Sequence, residues 1–306
     1  MTRKQILALA AMKPADMAAQ LAADYDVTAD IAAAASAEIV LTNGAVGISK
    51  AQMDQLPALQ LIAVNGVGVD AVDLAEAKRR GIAVTTTPDV LSLAVAELAL
   101  GLALATGRRI AEGDRFVRAG SWADGGKLAL GQSVLEGRAG ILGYGRIGRR
   151  LADLLRGMGM QVFYTARAEK AGTPDTFEAD PVALAESCDV LFVTATGGPD
   201  TRGLVDADVL QALGPRGILV NVARGPVVDT PALAAALAAG TIAGAGLDVF
   251  DDEPQVPDAL LNAPNTVLTP HIASATENAR RAMATLVLKN ITAYTAGQPL
   301  PSKYEG

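Results

Sequence analysis

Three polar residues each end an apolar, strand-like run in the second half of the chain. Arg224 ends residues 220–224, Glu253 follows the run that starts at Leu247, and His271 follows Leu268. An imidazole exchanges protons near neutral pH, and a guanidinium pairs with carboxylates through its planar fork. Ligands bind outside the carboxyl ends of strands in open parallel sheets. We therefore expect the three residues to border a ligand site, the alternatives being a surface ion pair for Arg224 and an exposed acidic turn for Glu253.

The full G-x-G-x-x-G pattern of the chain, 143–148, lies between an apolar run at 139–142 and a helical pattern through 150–155. In such a turn the first glycine permits the tight bend and the second lets the backbone approach a pyrophosphate. The third lets the helix pack on the strand, and the helix N-terminus favours the negative charge. The pattern predicts a dinucleotide site in contact with Gly143, Gly145, Arg146, Ile147 and Gly148.

The next strand, 161–164, is followed by Thr165-Ala166-Arg167. A carboxylate that binds the ribose 2′-hydroxyl of NAD is expected near this strand end, and none is present. Arg167 and Lys170 could bind a 2′-phosphate instead. We predict a preference for NADP(H), with NAD(H) as the second candidate. The alternative is that both cations are ordinary solvated charges.

Strand-like and helix-like segments alternate along the whole chain, which predicts an α/β fold with parallel sheets. The dinucleotide motif is in mid-chain, so we expect an outer domain of residues 1–95 and 280–306 with a cofactor domain of residues 96–279 inserted into it. A helix over 94–109 would connect them. A last helix would run from Ser274 to Ala296, opened by a capping box of Ser274 and Glu277.

An internal similarity supports two related domains. Residues 56–70 resemble residues 213–229, and the strand before each also matches. Two similar α/β domains would then direct the loops after Asn65 and Asn221 toward one cleft. The alternative is that parallel strands look alike in an alanine-rich chain.

Composition excludes several classes of function. The net charge of −7 is opposite to that of a general nucleic-acid binder. One cysteine and one histidine exclude a disulfide framework and metal sites built from several such ligands, so no metal cofactor is expected. No apolar run reaches about 18 residues, and the apolar start is interpreted as a buried strand rather than a signal peptide. We expect a cytoplasmic protein with no membrane partner.

Taken together, the motifs resemble those of the D-isomer-specific 2-hydroxyacid dehydrogenases. The resemblance extends over residues 55–290 and rests on four ordered segments, 143–148, 221–225, 244–254 and 269–272. The run 164–167 is most similar to the glyoxylate/hydroxypyruvate reductase branch. The resemblance implies a Rossmann-type domain inserted into a flavodoxin-like domain, each a doubly wound parallel sheet. It also implies a homodimer that reduces a small anionic 2-oxo acid to the D-2-hydroxy acid with NAD(P)H.

The resemblance further implies a role for each site residue. His271 would protonate the substrate carbonyl oxygen, Glu253 would hold the other ring nitrogen, and Arg224 would bind the substrate carboxylate and polarise the carbonyl. Backbone N–H groups of Val67 and Gly68 would bind the same carboxylate, and Asp248 would contact the nicotinamide carboxamide. The remaining predicted cofactor contacts are Thr165, Thr196, Val222, Ala223 and Ala273.

Two other functions are compared with the residues, and one of them, a sensing protein, stays open. A nucleotide-sensing binding protein or corepressor could retain the same scaffold and the same three polar residues. Formate oxidation would need additional polar substrate contacts that the outer domain does not offer. The run 194–199 departs from the family pattern by its additional glycines.

Overall fold

The computed structural model describes residues 3–305. The chain forms two compact units, one of residues up to Leu91 together with those from Ser274 onward, the other Ser92–Ala273. The expected boundaries, 95/96 and 279/280, thus lie four and six residues after these divisions.

The first unit is built on a parallel sheet of five strands in the order β2-β1-β3-β4-β5. Its two central strands are buried along their whole length because helices cover both faces. The order 2-1-3-4-5 is that of flavodoxin-like folds. The strands are β1 (Gln5–Ala8), β2 (Asp26–Thr28), β3 (Ile39–Thr42), β4 (Leu61–Val64) and β5 (Ala83–Thr85), and the helices are α1 (Ala15–Asp24), α2 (Lys50–Met53), α3 (Leu74–Arg79) and α11 (Glu277–Thr295).

The second unit has a seven-stranded parallel sheet in the order β12-β11-β10-β9-β6-β7-β8. Its strands are β6 (Arg138–Leu142), β7 (Gln161–Thr165), β8 (Thr176–Phe177), β9 (Val190–Val193), β10 (Ile218–Asn221), β11 (Gly244–Leu247) and β12 (Thr266–Leu268). Its helices are α4 (Ser92–Gly107), α5 (Ile110–Arg118), α6 (Arg146–Gly157), α7 (Pro181–Glu186), α8 (Ala207–Leu213), α9 (Thr230–Ala239) and α10 (Asp258–Leu261). The order reverses between β6 and β9, the topological switch point at which Rossmann-type sheets bind dinucleotides. The predicted fold class is confirmed.

The start of the last helix corrects one prediction. The structure begins α11 at Glu277, and its N-cap is Thr276, whose hydroxyl accepts a hydrogen bond from the Ala279 N–H at 3.2 Å. The predicted capping box of Ser274 and Glu277 is therefore wrong. Serine and threonine are both favoured N-cap residues, so residue type alone did not show that Thr276 rather than Ser274 caps the helix.

Within residues 3–305, no helix is long and apolar enough to cross a membrane. The same range contains no group of three or more His, Cys, Asp or Glu side chains arranged to hold a metal ion.

Candidate active site

The three polar residues follow three adjacent strands of the second sheet. Strands β10, β11 and β12 are paired in parallel, with Asn221 beside Leu247 and Leu247 beside Leu268. Arg224 and His271 lie three residues after the ends of β10 and β12, and Glu253 lies six residues after the end of β11. All three therefore belong to loops at one edge of the sheet. The loop after β6, which carries the glycine-rich turn, lies at the same edge, since β6 pairs in parallel with β9 and β9 with β10.

His271 and Glu253 are in direct contact through their side chains. The Nδ1 atom of His271 lies 2.6 Å from Oε2 of Glu253, and the second carboxylate oxygen accepts the Phe250 N–H at 3.0 Å. The Nε2 atom of His271 has no hydrogen-bond partner in the described part of the chain, and 44% of the side chain is exposed. The carboxylate therefore orients the ring and leaves Nε2 available to a ligand.

A buried carboxylate shapes the turn that carries His271. Asp248 is fully buried, and its oxygens accept hydrogen bonds from the Thr269 hydroxyl at 2.6 Å and the N–H groups of Ile272 at 2.8 Å and Ala273 at 2.9 Å. Its carbonyl oxygen accepts the His271 N–H at 2.9 Å. These bonds hold His271 at a φ of +52°, a conformation that costs a non-glycine residue free energy. The cofactor contact of Asp248 stays a prediction. No sequence signal indicated its other role, the hydrogen bonds that hold the His271 turn.

The Arg224 loop is held by the preceding strand. Asn221 is buried; its side-chain oxygen accepts the Ala223 N–H at 3.0 Å, and its amide donates to the Arg224 carbonyl at 3.0 Å. The guanidinium donates to the Ala223 carbonyl at 2.6 Å. A Cβ at Gly225 would lie 2.0 Å from the Phe250 carbonyl carbon, so only glycine lets this loop approach the segment that leads to Glu253.

The glycine-rich turn has the shape that a pyrophosphate requires. A Cβ at Gly143 would lie 2.4 Å from the Ala195 backbone, and one at Gly148 would lie 2.3 Å from the Gly143 carbonyl oxygen. Gly145 caps α6, where no side chain satisfies the first N–H groups and the space around a Cβ is open. The helix N-terminus therefore has N–H groups without a side-chain cap, and Gly145 leaves open space in front of them. Both features suit the binding of an anionic dinucleotide.

The remaining predicted contacts differ in environment. Arg167 and Lys170 are exposed, and their charged groups have no partner within residues 3–305. Thr196 is exposed in the loop after β9 and Thr165 is half-buried at the end of β7, whereas the side chains of Val222, Ala223 and Ala273 are buried.

Val67 and Gly68 belong to the first unit and follow β4. Val67 is 40% exposed. The N–H groups of both residues donate to no acceptor in the described chain, although the neighbouring Gly66 carbonyl accepts from Thr87. Two adjacent N–H groups without a protein acceptor can bind a carboxylate.

Comparison with known proteins gives consistent results. Residues 100–273 match the family model of the D-isomer specific 2-hydroxyacid dehydrogenase NAD binding domain. The chain is 45% identical to a 2-ketogluconate reductase of Gluconobacter oxydans over 85% of this chain and 84% of that protein. It is 41% identical to a glyoxylate reductase of Pyrococcus furiosus over 83% of this chain and 78% of the relative.

A solved structure that resembles this chain is also that of a reductase. The NADPH-dependent glyoxylate/hydroxypyruvate reductase of Sinorhizobium meliloti, crystallised with NADP and malonate, superposes with a TM-score of 0.93 at 39% identity. The match covers 99% of this chain and 97% of that one.

Proposed function

The chain belongs to the D-isomer-specific 2-hydroxyacid dehydrogenase family, and we propose that it reduces small 2-oxo acids with His271 as the proton donor. It is a nicotinamide-dependent oxidoreductase of 2-oxo acids, of the glyoxylate/hydroxypyruvate reductase branch. The observation that carries the assignment of His271 is the 2.6 Å contact between its Nδ1 and Glu253 Oε2, beside an Nε2 without a protein partner.

The reduced nicotinamide, when bound, supplies the hydride that adds to the substrate C2. Negative charge then develops on the carbonyl oxygen. His271 donates its Nε2 proton to that oxygen, and Glu253 keeps the proton-bearing Nδ1 directed at its own carboxylate. The same carboxylate faces the positive imidazolium before transfer.

Arg224 binds the substrate carboxylate and polarises its carbonyl group. A guanidinium can present two parallel N–H donors to a carboxylate, and its loop is fixed by Asn221 and by the close packing of Gly225. The unsatisfied N–H groups of Val67 and Gly68 are proposed as additional donors to the same carboxylate. Because the net charge of the chain is −7, these local groups must supply the attraction for the anion.

We propose NADP(H) as the preferred cofactor. Arg167 and Lys170 follow the strand whose end would carry an acidic residue in an NAD-specific site. The S. meliloti reductase described above is NADPH-dependent by name. Arg167→Asp should reverse the ratio of kcat/KM for NADPH to that for NADH, since it replaces a phosphate-binding cation with an anion. Equal kcat/KM values for NADPH and NADH in the wild type, or an unchanged ratio of these values in Arg167→Asp, would contradict this preference.

Glyoxylate and hydroxypyruvate are the proposed substrates. Purified protein mixed with NADPH and either acid should consume the nicotinamide absorbance, and a panel of 2-oxo acids that includes 2-ketogluconate would rank them. No turnover with any of these acids would contradict the proposal. The nucleotide-sensing alternative is not favoured, because the relatives that match most of the chain are named reductases.

A homodimer and a cytoplasmic location are also proposed. The segment 119–132 carries exposed apolar side chains, with Trp122 70% and Leu130 96% exposed, and clustered apolar exposure is typical of an interface. The location is supported by the presence of one cysteine in the chain, which suits a reducing compartment.

A further inference from the structure

The loop that carries Arg167 and Lys170 connects β7 to β8 and contains no helix or strand. It is attached near its middle by the Lys170 N–H, which donates to the hydroxyl of Tyr164 at 2.8 Å. Two exposed cations on such a loop lose conformational freedom when they bind a phosphate, and that loss reduces affinity. Contacts that order the loop before the cofactor binds should therefore raise its affinity for the phosphate.

A cluster of Tyr144, Arg156 and Asp175, with Tyr144 and the Asp175 carboxylate buried and Arg156 30% exposed, orders the far end of the loop. The side chain of Asp175 is only 2% exposed. Its Oδ2 accepts from the Tyr144 hydroxyl and from Nη1 of Arg156, the latter at 2.5 Å. The Tyr144 hydroxyl also lies 2.8 Å from the Thr173 hydroxyl, within the loop itself.

The charges of this cluster are compensated. Burial raises the pKa of Tyr144, so its hydroxyl stays protonated and donates. The hydrogen bond to Asp175 raises the pKa of Arg156, which keeps the guanidinium charged. A carboxylate so deeply buried is tolerated only with such partners. Loss of one partner should therefore release the loop end rather than leave it in place.

The cluster also reaches the phosphate-binding turn. Tyr144 lies between Gly143 and Gly145, and its ring stacks on that of Tyr164 with centroids 4.0 Å apart. Tyr164 in turn packs at 5.5 Å against Phe177 of β8. The turn for the pyrophosphate and the loop with the two cations are thus joined through one connected set of side chains.

We propose that Tyr144, Arg156 and Asp175 are positioning residues for cofactor specificity, which hold Arg167 and Lys170 where the adenosine 2′-phosphate binds. The inference rests on the proposed NADP(H) preference. In this inference, specificity for the 2′-phosphate depends on Arg167 and Lys170, which contact the phosphate, and on the cluster, which positions them. Tyr144, Arg156 and Asp175 contact the loop and the turn, and they affect cofactor binding only through these two segments.

The test compares Asp175→Asn with Asp153→Asn. Asp153 also pairs with Arg156, but its side chain is 54% exposed and lies on α6 rather than on the loop. Calorimetry would measure the affinity for adenosine 2′,5′-bisphosphate and for 5′-AMP, which lacks the 2′-phosphate. In Asp175→Asn the affinity for the bisphosphate should fall about tenfold, while that for 5′-AMP changes less than about twofold. Asp153→Asn should leave both affinities near the wild-type values.

Tyr144→Phe is the second variant, since it keeps the ring stacking and removes the hydroxyl alone. It should show the same selective loss, even if Asp175→Asn does not fold. Equal loss of both ligands in these variants would mean a general structural role and would overturn the inference.

A failure of the inference can be separated from a failure of the cofactor proposal. If the wild type binds both ligands equally, the NADP(H) preference falls and the inference falls with it. If the wild type prefers the bisphosphate and Arg167→Ala removes the preference, the cofactor proposal stands. Should Asp175→Asn and Tyr144→Phe then retain the full preference, the inference alone is wrong.

Discussion

At His271 the backbone conformation and the ring chemistry impose separate requirements. His271→Asn is the suitable variant because asparagine tolerates the φ of +52° that the turn imposes. Loss of the proton donor should lower kcat by about 10²–10⁴-fold, whereas the affinity for NADPH, measured by fluorescence titration, should stay close to that of the wild type. Near-normal turnover in this variant would assign the proton donor to another group.

Arg224 is expected to act mainly on substrate binding. Arg224→Lys keeps the positive charge and loses the planar fork, so the KM for the 2-oxo acid should rise at least about tenfold with a smaller change in kcat. Steady-state kinetics with glyoxylate and NADPH would measure both constants. A fall of kcat at constant KM would instead mean that Arg224 acts in the transition state alone.

At the scale of elements, the β6–α6 connection depends on how closely the helix approaches the strand. A methyl group at Gly148 would lie 2.3 Å from the Gly143 carbonyl oxygen, which is backbone and cannot move aside easily. Gly148→Ala should lower the free energy of unfolding by about 1–3 kcal/mol and weaken NADPH binding. Chemical denaturation and fluorescence titration would measure the two effects.

Gly157→Ala is the matched control for that prediction. Gly157 belongs to the same helix, and nothing lies within 4 Å of its added Cβ. This variant should be neutral or slightly stabilising, since alanine has the higher helix propensity. If both variants behave alike, close packing at Gly148 is not what the turn requires.

At the scale of the whole molecule, self-association should depend on the exposed apolar segment 119–132. The double variant Trp122→Ser with Leu130→Ser should sediment as a monomer if that segment forms the interface, because it removes the most exposed apolar area there. Leu261→Ser is the control, since Leu261 is 54% exposed on a different element, α10. A monomeric wild type, or a double variant that remains dimeric, would contradict this assignment.

The amino-acid sequence by itself determined the alternation of strands and helices, the position of the glycine-rich turn and the order of the polar loops around Arg224, Glu253 and His271. Each of these is a local signal, because residue type and spacing within about ten positions decide it. The start of α11 escaped this kind of reasoning, since Ser274 and Thr276 are both good caps by type.

Only the tertiary structure decided which distant side chains meet. Asp248 holds the His271 turn from 21 to 25 residues away, and Asp175 reaches Tyr144 across 31 residues. Both are single acidic residues in sequence, indistinguishable by type from the solvated Asp153. Burial turned them into structural anchors, because a carboxylate removed from water must find donors wherever the fold brings them.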